Sequence, residues 1–183
     1  MALVAIREIL KYPNRKLKLT CEPVREINGK LAGRLNDMVE TMYASDGIGL
    51  AAPQLGLLER TIVVDTNTAN RGVDLVKLIN PEIIEAEGKI VWEEGCLSVV
   101  NYQAEVTRSQ RILVRGWTID QKQIEIEAED LPAVCLQHEI DHLDGVLFID
   151  QISRLKRELY RKRVKKLVRD EPELFSGPEV PAL

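Results

Sequence analysis

The sequence predicts an α+β fold, with largely antiparallel sheets around a central helix that carries His138-Glu139-Ile140-Asp141-His142. A flanking N-terminal helix and a C-terminal basic helix complete it. Three observations lead there. Apolar residues between Lys30 and Ala44 recur with helical spacing, several strand-like runs between residues 61 and 127 have no helix among them, and two histidines four residues apart follow. Strands gathered between a first and a last helix pair antiparallel, because parallel neighbours need a crossover helix between them.

A chain of 183 residues, 45% hydrophobic and 30% charged, holds enough apolar side chains for one packed core. Residues 1–170 are expected to form a single domain that includes the basic helix 151–169. Residues 171–183, with Glu171-Pro172 and Ser176-Gly177-Pro178, are expected to form a flexible tail. Met1 to Ile6 is apolar for only six residues before Arg7-Glu8, too short for a secretory or membrane-spanning segment, so a soluble, cytoplasmic protein is expected. The three cysteines, Cys21, Cys96 and Cys135, are odd in number and irregularly spaced, which argues against a disulfide framework and leaves a thiolate free to bind metal.

The opening through Tyr12-Pro13 and Glu22-Pro23 reads as extended or turn-rich, since each proline steers its predecessor away from helix. Cys21 reads as a small buried residue. Asn28-Gly29 then starts a helix on which Leu31, Leu35, Met38 and Met42 share one face. In the following Asp46 to Gly56 stretch three glycines and Pro53 keep the backbone thin around one long polar residue, Gln54. Such a stretch suits a ligand that approaches the main chain closely, or a plain connector. It lacks the G-K-[ST] ending of a phosphate loop.

Strand-like runs follow at Thr61 to Asp65, Leu75 to Ile79, Gly88 to Trp92, Arg111 to Trp117 and Gln123 to Glu127. Between two of them lies Glu93-Glu94-Gly95-Cys96-Leu97-Ser98, a turn whose cysteine on its own reads as a plain core or loop residue or, being more exposed than one inside a strand, as a ligand. The next helix is expected from Asp130-Leu131-Pro132 to Asp144-Gly145. Leu131, Cys135, His138 and His142 lie on one face of it, and Ala133, Leu136, Ile140 and Leu143 form an apolar face for the core.

Imidazoles at i and i+4 have Cβ atoms ~5–6 Å apart and can share one metal ion. A catalytic site of this kind takes three protein ligands and keeps the fourth position for water. Cys135 sits ~7.5 Å along the helix axis from the midpoint of the histidines, too far for a short thiolate arm, and reads as wall. Glu158, sixteen residues after His142, would complete a zinc endopeptidase but lies in the basic helix, where a surface ion pair suits it better. Cys96 is the better third ligand.

Gly47-Ile48-Gly49-Leu50-Ala51-Ala52-Pro53-Gln54, Glu94-Gly95-Cys96-Leu97-Ser98 and His138-Glu139-Ile140-Asp141-His142 together resemble the three motifs of bacterial-type peptide deformylases, in order and in spacing. The resemblance extends from about Ile6 to Ser153. It departs at Val100, where members often have proline, which bears on the path of the loop expected from Asn101 to Arg108. The resemblance implies removal of the N-formyl group from the formyl-methionine of new polypeptides, with release of formate. It implies one divalent metal ion, ferrous in the cell, with zinc, nickel or cobalt in a purified sample. The Cys-His-His set by itself suits zinc.

On this pattern Cys96, His138 and His142 hold the metal, Glu139 is the general base, and the Gln54 amide and Leu97 N–H stabilise the oxyanion. Ile48, Gly49 and Gly95 offer backbone to an extended substrate. The methionine pocket draws on Ile48, Trp92, Leu131, Val134 and Cys135. Asp141 orients a ligand or pairs with Arg108.

From Arg154 to Arg169 nine basic residues face the single acid Glu158, a net +8 within a chain of net −4. Ile152, Leu155, Leu159 and Leu167 are expected to form its apolar stripe. A solvated face is one reading; contact with ribosomal RNA near the nascent-chain exit, as in related enzymes, is the other. No membrane or DNA partner is expected. A non-catalytic RNA-binding protein is the alternative to an enzyme.

Overall fold

A computed structural model describes residues 5–175. Helix α1 (Gly29–Ala44) starts where the Asn28 side chain accepts hydrogen bonds from the Lys30 and Leu31 amides, which satisfies donors that no helical carbonyl can reach. Its spacing does what the sequence predicts: Leu31, Leu35, Met38 and Met42 are buried against Leu50, Val63 and Ile79.

The strands are β1 (Gly49–Ala51), β2 (Thr61–Val64), β3 (Val76–Glu87), β4 (Ile90–Cys96), β5 (Val99–Arg108), β6 (Arg111–Trp117) and β7 (Gln123–Glu129). All pair antiparallel, in one sheet of order β1-β2-β3-β6-β7 and a separate ribbon β4-β5.

Two expectations about the strands are corrected. Asn101 to Arg108 is not a loop but most of β5, with Ile90 opposite Arg108 and Gly95 opposite Gln103. Its polar residues hid the alternation that buries Ala104, Val106 and Arg108 on one face. The run that starts at Leu75 also continues well past Ile79, to Glu87. Asn80 takes a positive φ of 51° and the register shifts between Ile79 and Glu82, so the ladder passes Pro81 at an irregularity instead of ending there.

Helix α2 (Leu131–Leu143) carries the two histidines, and lays Ala133, Leu136, Ile140 and Leu143 onto Ile62, Leu78, Ile112 and Val114 of the sheet. It stops at Gly145, where φ is 71° and a Cβ would come within 2.6 Å of the Lys18 carbonyl oxygen, so only glycine fits.

Helices α3 (Phe148–Gln151) and α4 (Arg154–Asp170) follow. The apolar stripe expected for α4 holds at Ile152 and Leu167, which pack in the cluster under the helix, and fails at its two middle residues. Leu155 and Leu159 are 71% and 58% exposed, while Tyr160 and Val164 are buried with Val99, Val106 and Phe148. One residue is a rotation of about 100° on a helix. Tyr160 wins the inward face by stacking on Tyr102 at 4.5 Å between centroids and by donating to the Val100 carbonyl oxygen. The tail expectation changes as well: Pro172–Phe175 forms a 3-10 turn whose Phe175 is buried in the same cluster. The remainder of that stretch, 176–183, lies outside the described residues.

Candidate active site

Three segments meet at the site. The first is β1 with the turn Ala52–Leu55, which buries Gln54. The Gln54 Oε1 accepts from the Ala51 N–H at 2.8 Å, which leaves its Nε2 pointing the other way, 3.1 Å from Ser98 Oγ and 3.6 Å from Cys96 Sγ. An amide held at its oxygen presents only donors to the site.

The second segment is the turn between β4 and β5. It places Cys96 Sγ 3.2 Å from His142 Nε2, and the Ser98 N–H donates to that sulfur at 3.4 Å. Among the described residues no backbone acceptor receives the Leu97 N–H. The third segment is α2 itself, whose His138 and His142 rings lie 5.0 Å apart between centroids. One ligand atom each from Cys96, His138 and His142 fall within 4.8 Å of one another.

A chain of charges runs behind the ligands. His138 Nδ1 lies 2.7 Å from Glu94 Oε2, Glu94 receives Arg108 at 2.6 and 3.0 Å, and Arg108 donates to Asp141 at 2.5 Å. Glu94 engages Nδ1 and leaves the other His138 nitrogen free to face Cys96 and His142. The Asp141–Arg108 pairing agrees with the sequence reading. The central role of Glu94 was missed, although alternation along β4 places it on the inward face.

Burial disfavours the His138 imidazolium, but hydrogen bonds to Cys96 and Glu94, and the charges of Cys96 and Glu139, outweigh it and hold its pKa well above the ordinary value. His142 goes the other way, pushed well below by burial and then by the charges of His138, Arg108 and Lys18. Glu139 is pushed up to about 7, first by burial, with Glu94 and Asp141 adding to the rise and His138 and Arg108 opposing it. Its Oε2 is buried with no hydrogen-bond partner among the described residues. A soft thiolate and two imidazoles with converging atoms, beside a carboxylate oxygen whose partner is missing, fit a divalent ion and a water.

Strand β1 passes directly against Glu139: a Cβ on Gly49 would lie 2.2 Å from Glu139 Oε1 and 2.8 Å from Cys135 Sγ. Cys135 is buried as wall, its Sγ 3.5 Å from the Ile48 carbonyl oxygen and its pKa raised well above the ordinary value by burial, then by the Glu139 and Glu94 charges. It is no third ligand. Neither is Glu158, which is exposed on α4 and paired with Arg161 at 2.9 Å.

A cavity of about 640 Å³ opens over this arrangement. Ile48, Trp92, Leu131, Val134 and Cys135 line it together with the backbone of Gly49 and Gly95. Among the described residues each of β1 and β4 has one partner strand and so keeps an unpaired edge. The structure therefore brings together at one site every residue singled out from the sequence for it, and adds Glu94 and Ser98.

The family profile for polypeptide deformylase matches residues 6–158. A peptide deformylase of Thermodesulfovibrio yellowstonii is 54% identical over 162 residues, 88% of this chain and 98% of the relative. Among solved structures, a peptide deformylase from Legionella pneumophila is 41% identical, with a TM-score of 0.84 over 90% of this chain and 96% of that one. One from Ehrlichia chaffeensis in complex with actinonin is 35% identical, with a TM-score of 0.83 over 91% and 99%. Profile, sequence and architecture agree over nearly the whole described chain, and the chain belongs to the polypeptide deformylase family, the enzymes that remove the N-formyl group from nascent peptides.

Proposed function

We propose that this chain hydrolyses the formamide of N-formyl-methionyl peptides at the Cys96–His138–His142 centre, with Glu139 as the proton-transfer group. The observation that carries this reading is the convergence of those three ligand atoms next to the unpartnered Glu139 Oε2. Cys96, His138 and His142 hold one divalent ion, ferrous in the cell, with zinc, nickel or cobalt replacing it in a purified sample. When bound, such an ion supplies positive charge that acidifies an adjacent water and polarises a carbonyl.

The protein's own groups do the rest. Glu139 takes a proton from the attacking water, whose oxygen bonds to the formyl carbon. The carbonyl oxygen gains negative charge, and the Gln54 Nε2–H and the Leu97 N–H meet it with donors fixed in advance. Glu139 then delivers the proton to the nitrogen as the C–N bond breaks, leaving formate and a free amine.

The substrate lies extended between the open edges of β1 and β4, held through main-chain groups of Ile48, Gly49 and Gly95, so the sequence after the first residue is read loosely. The methionine side chain enters the apolar wall of Ile48, Trp92, Leu131, Val134 and Cys135. Outside the cavity, the basic face of α4, with Leu155 and Leu159 exposed on it, supports contact with ribosomal RNA near the nascent-chain exit in the cytoplasm.

The test is formate release from formyl-Met-Ala-Ser by anaerobically prepared, iron-loaded protein. Release is expected, and is expected to be nearly abolished in Glu139→Ala with the metal retained. Equal rates in the two proteins would remove Glu139 from the mechanism.

A further inference from the structure

Three consecutive residues near the N-terminus touch both turns that carry the oxyanion donors. The Leu10 N–H donates to the Gln54 carbonyl oxygen at 2.7 Å, and the Tyr12 N–H donates to the Ser98 carbonyl oxygen at 2.7 Å. Between them, the Lys11 side chain reaches across, and its Nζ donates to the Leu97 carbonyl oxygen at 2.5 Å. The two backbone bonds are open to almost any residue type. The third depends on lysine.

We propose that Lys11 is a positioning residue for catalysis: its ammonium fixes the Leu97 carbonyl, and so holds the Cys96-Leu97-Ser98 turn with the Leu97 N–H directed at the developing oxyanion. This rests on the assignment of Gln54 and Leu97 as oxyanion donors.

The turn needs such an anchor. Cys96 and Val99 pair across a register shift from the rest of β4 and β5, so the regular ladder does not fix the two peptides between them. Among the described residues the Leu97 N–H has no backbone acceptor to restrain it. What the protein does provide is a charge-assisted bond to the carbonyl of the same residue, and such bonds are stronger and shorter than neutral ones. Gln54 is anchored comparably: its Oε1 is pinned by the Ala51 N–H so that its donor faces the site. Lys11 does for the Leu97 donor what the Ala51 amide does for the Gln54 donor.

The position of Lys11 is consistent with this. Burial lowers its pKa, while the nearby charges of Cys96 and Glu8 oppose the fall. An ammonium is thus kept partly out of water beside the metal centre without ligating or touching substrate, so its effect acts through the turn.

The experiment compares the metal-loaded full chain with Lys11→Met, Lys11→Arg and Gln54→Ala. Formyl-Met-Ala-Ser serves as substrate, and the product peptide Met-Ala-Ser, which lacks the formyl oxygen, as competitive inhibitor. For Lys11→Met, kcat is expected to fall about tenfold, less than the ~10²–10³ lost when an oxyanion donor itself is removed. KM, the inhibition constant of Met-Ala-Ser, metal content and thermal midpoint should stay within about twofold or a few degrees of the unaltered enzyme. Lys11→Arg, which can still donate to the carbonyl, should recover most of the lost kcat.

If Lys11→Met keeps kcat within about twofold while Gln54→Ala is severely impaired, Lys11 has no positioning role and the oxyanion assignment survives. If Gln54→Ala is itself near normal, the assignment fails and the role of Lys11 fails with it. Parallel weakening of KM and of product-peptide binding in Lys11→Met would mark a general structural role and overturn the proposal. Should Lys11→Met lower the thermal midpoint, Lys11→Gln carries the same comparison, with the same kcat-only loss expected and an unchanged kcat overturning it.

Discussion

His138 Nδ1 and the Glu94 carboxylate lie 2.7 Å apart, and the same carboxylate is clamped from its other side by the Arg108 guanidinium. The His138 ring, one of the three groups that converge at the candidate metal site, is therefore oriented by a residue from β4, which also delivers Cys96.

Glu94→Gln should weaken metal binding by about 10–100-fold, as removal of an outer hydrogen-bond partner of a ligating histidine generally does. The same change leaves the buried Arg108 with only Asp141 as an acidic partner, so the thermal midpoint should drop too. Competition with a chromogenic chelator measures the first effect and calorimetry the second. Unchanged metal affinity would show that Glu94 serves only the fold.

Gly49→Ala should be far more damaging than a single methyl usually is. The added carbon would lie 2.2 Å from Glu139 Oε1 with β1 wedged against α2, so the base or the strand must shift. Misplacement by about 1 Å is enough for a loss on the order of 10²-fold in kcat. Steady-state kinetics together with metal analysis decide it, since the metal should be retained.

The pH profile follows from Glu139. Its carboxyl is pushed up to about 7 by burial before any other cause, and only the ionised form accepts a proton from water. Activity should thus fall on the acid side as Glu139 becomes protonated. A bound dication favours the carboxylate, so the limb of the loaded enzyme should lie at or below that value. Metal loading has a sign of its own: His138 holds its proton well above the ordinary pKa, so binding must displace it, and affinity should rise with pH with protons released. Proton uptake by buffers of differing ionisation enthalpy, followed by titration calorimetry, measures that release.

Removing α4 outright is a poor probe of partner binding, because Tyr160 and Val164 are part of the core and their loss would strip cover from Tyr102 and Phe148. Charge reversal at exposed Arg163 and Lys166 is cleaner. It should weaken salt-sensitive ribosome binding several-fold and leave hydrolysis of formyl-Met-Ala-Ser unchanged. Sedimentation with ribosomes at two salt concentrations tests it, and equal binding would dismiss the basic face as a docking surface.

Local patterns in the chain were enough for α1 and for α2 with both histidines on one face, and they singled out Cys96 as the residue that converges with those histidines. Each is a matter of spacing along one segment or of reach along one helix. Strand β5 and the inward face of α4 were decided only by packing. Asn101 to Arg108 has no apolar run of its own and becomes a strand because β4 offers it a partner. Leu155 and Leu159 match the helical period as well as Tyr160 and Val164 do, and aromatic neighbours at Tyr102 and Tyr12 select the latter. The same holds for Glu94 against His138, Gly49 under Glu139 and Lys11 on the Leu97 carbonyl. These pairs join residues 44, 90 and 86 positions apart. Residue types and spacings singled out the groups that the fold gathers at one site, while the distances that orient and tune them exist only once the strands and α2 are packed, since hydrogen bonds and steric contacts act over a few ångströms of space and not along the chain.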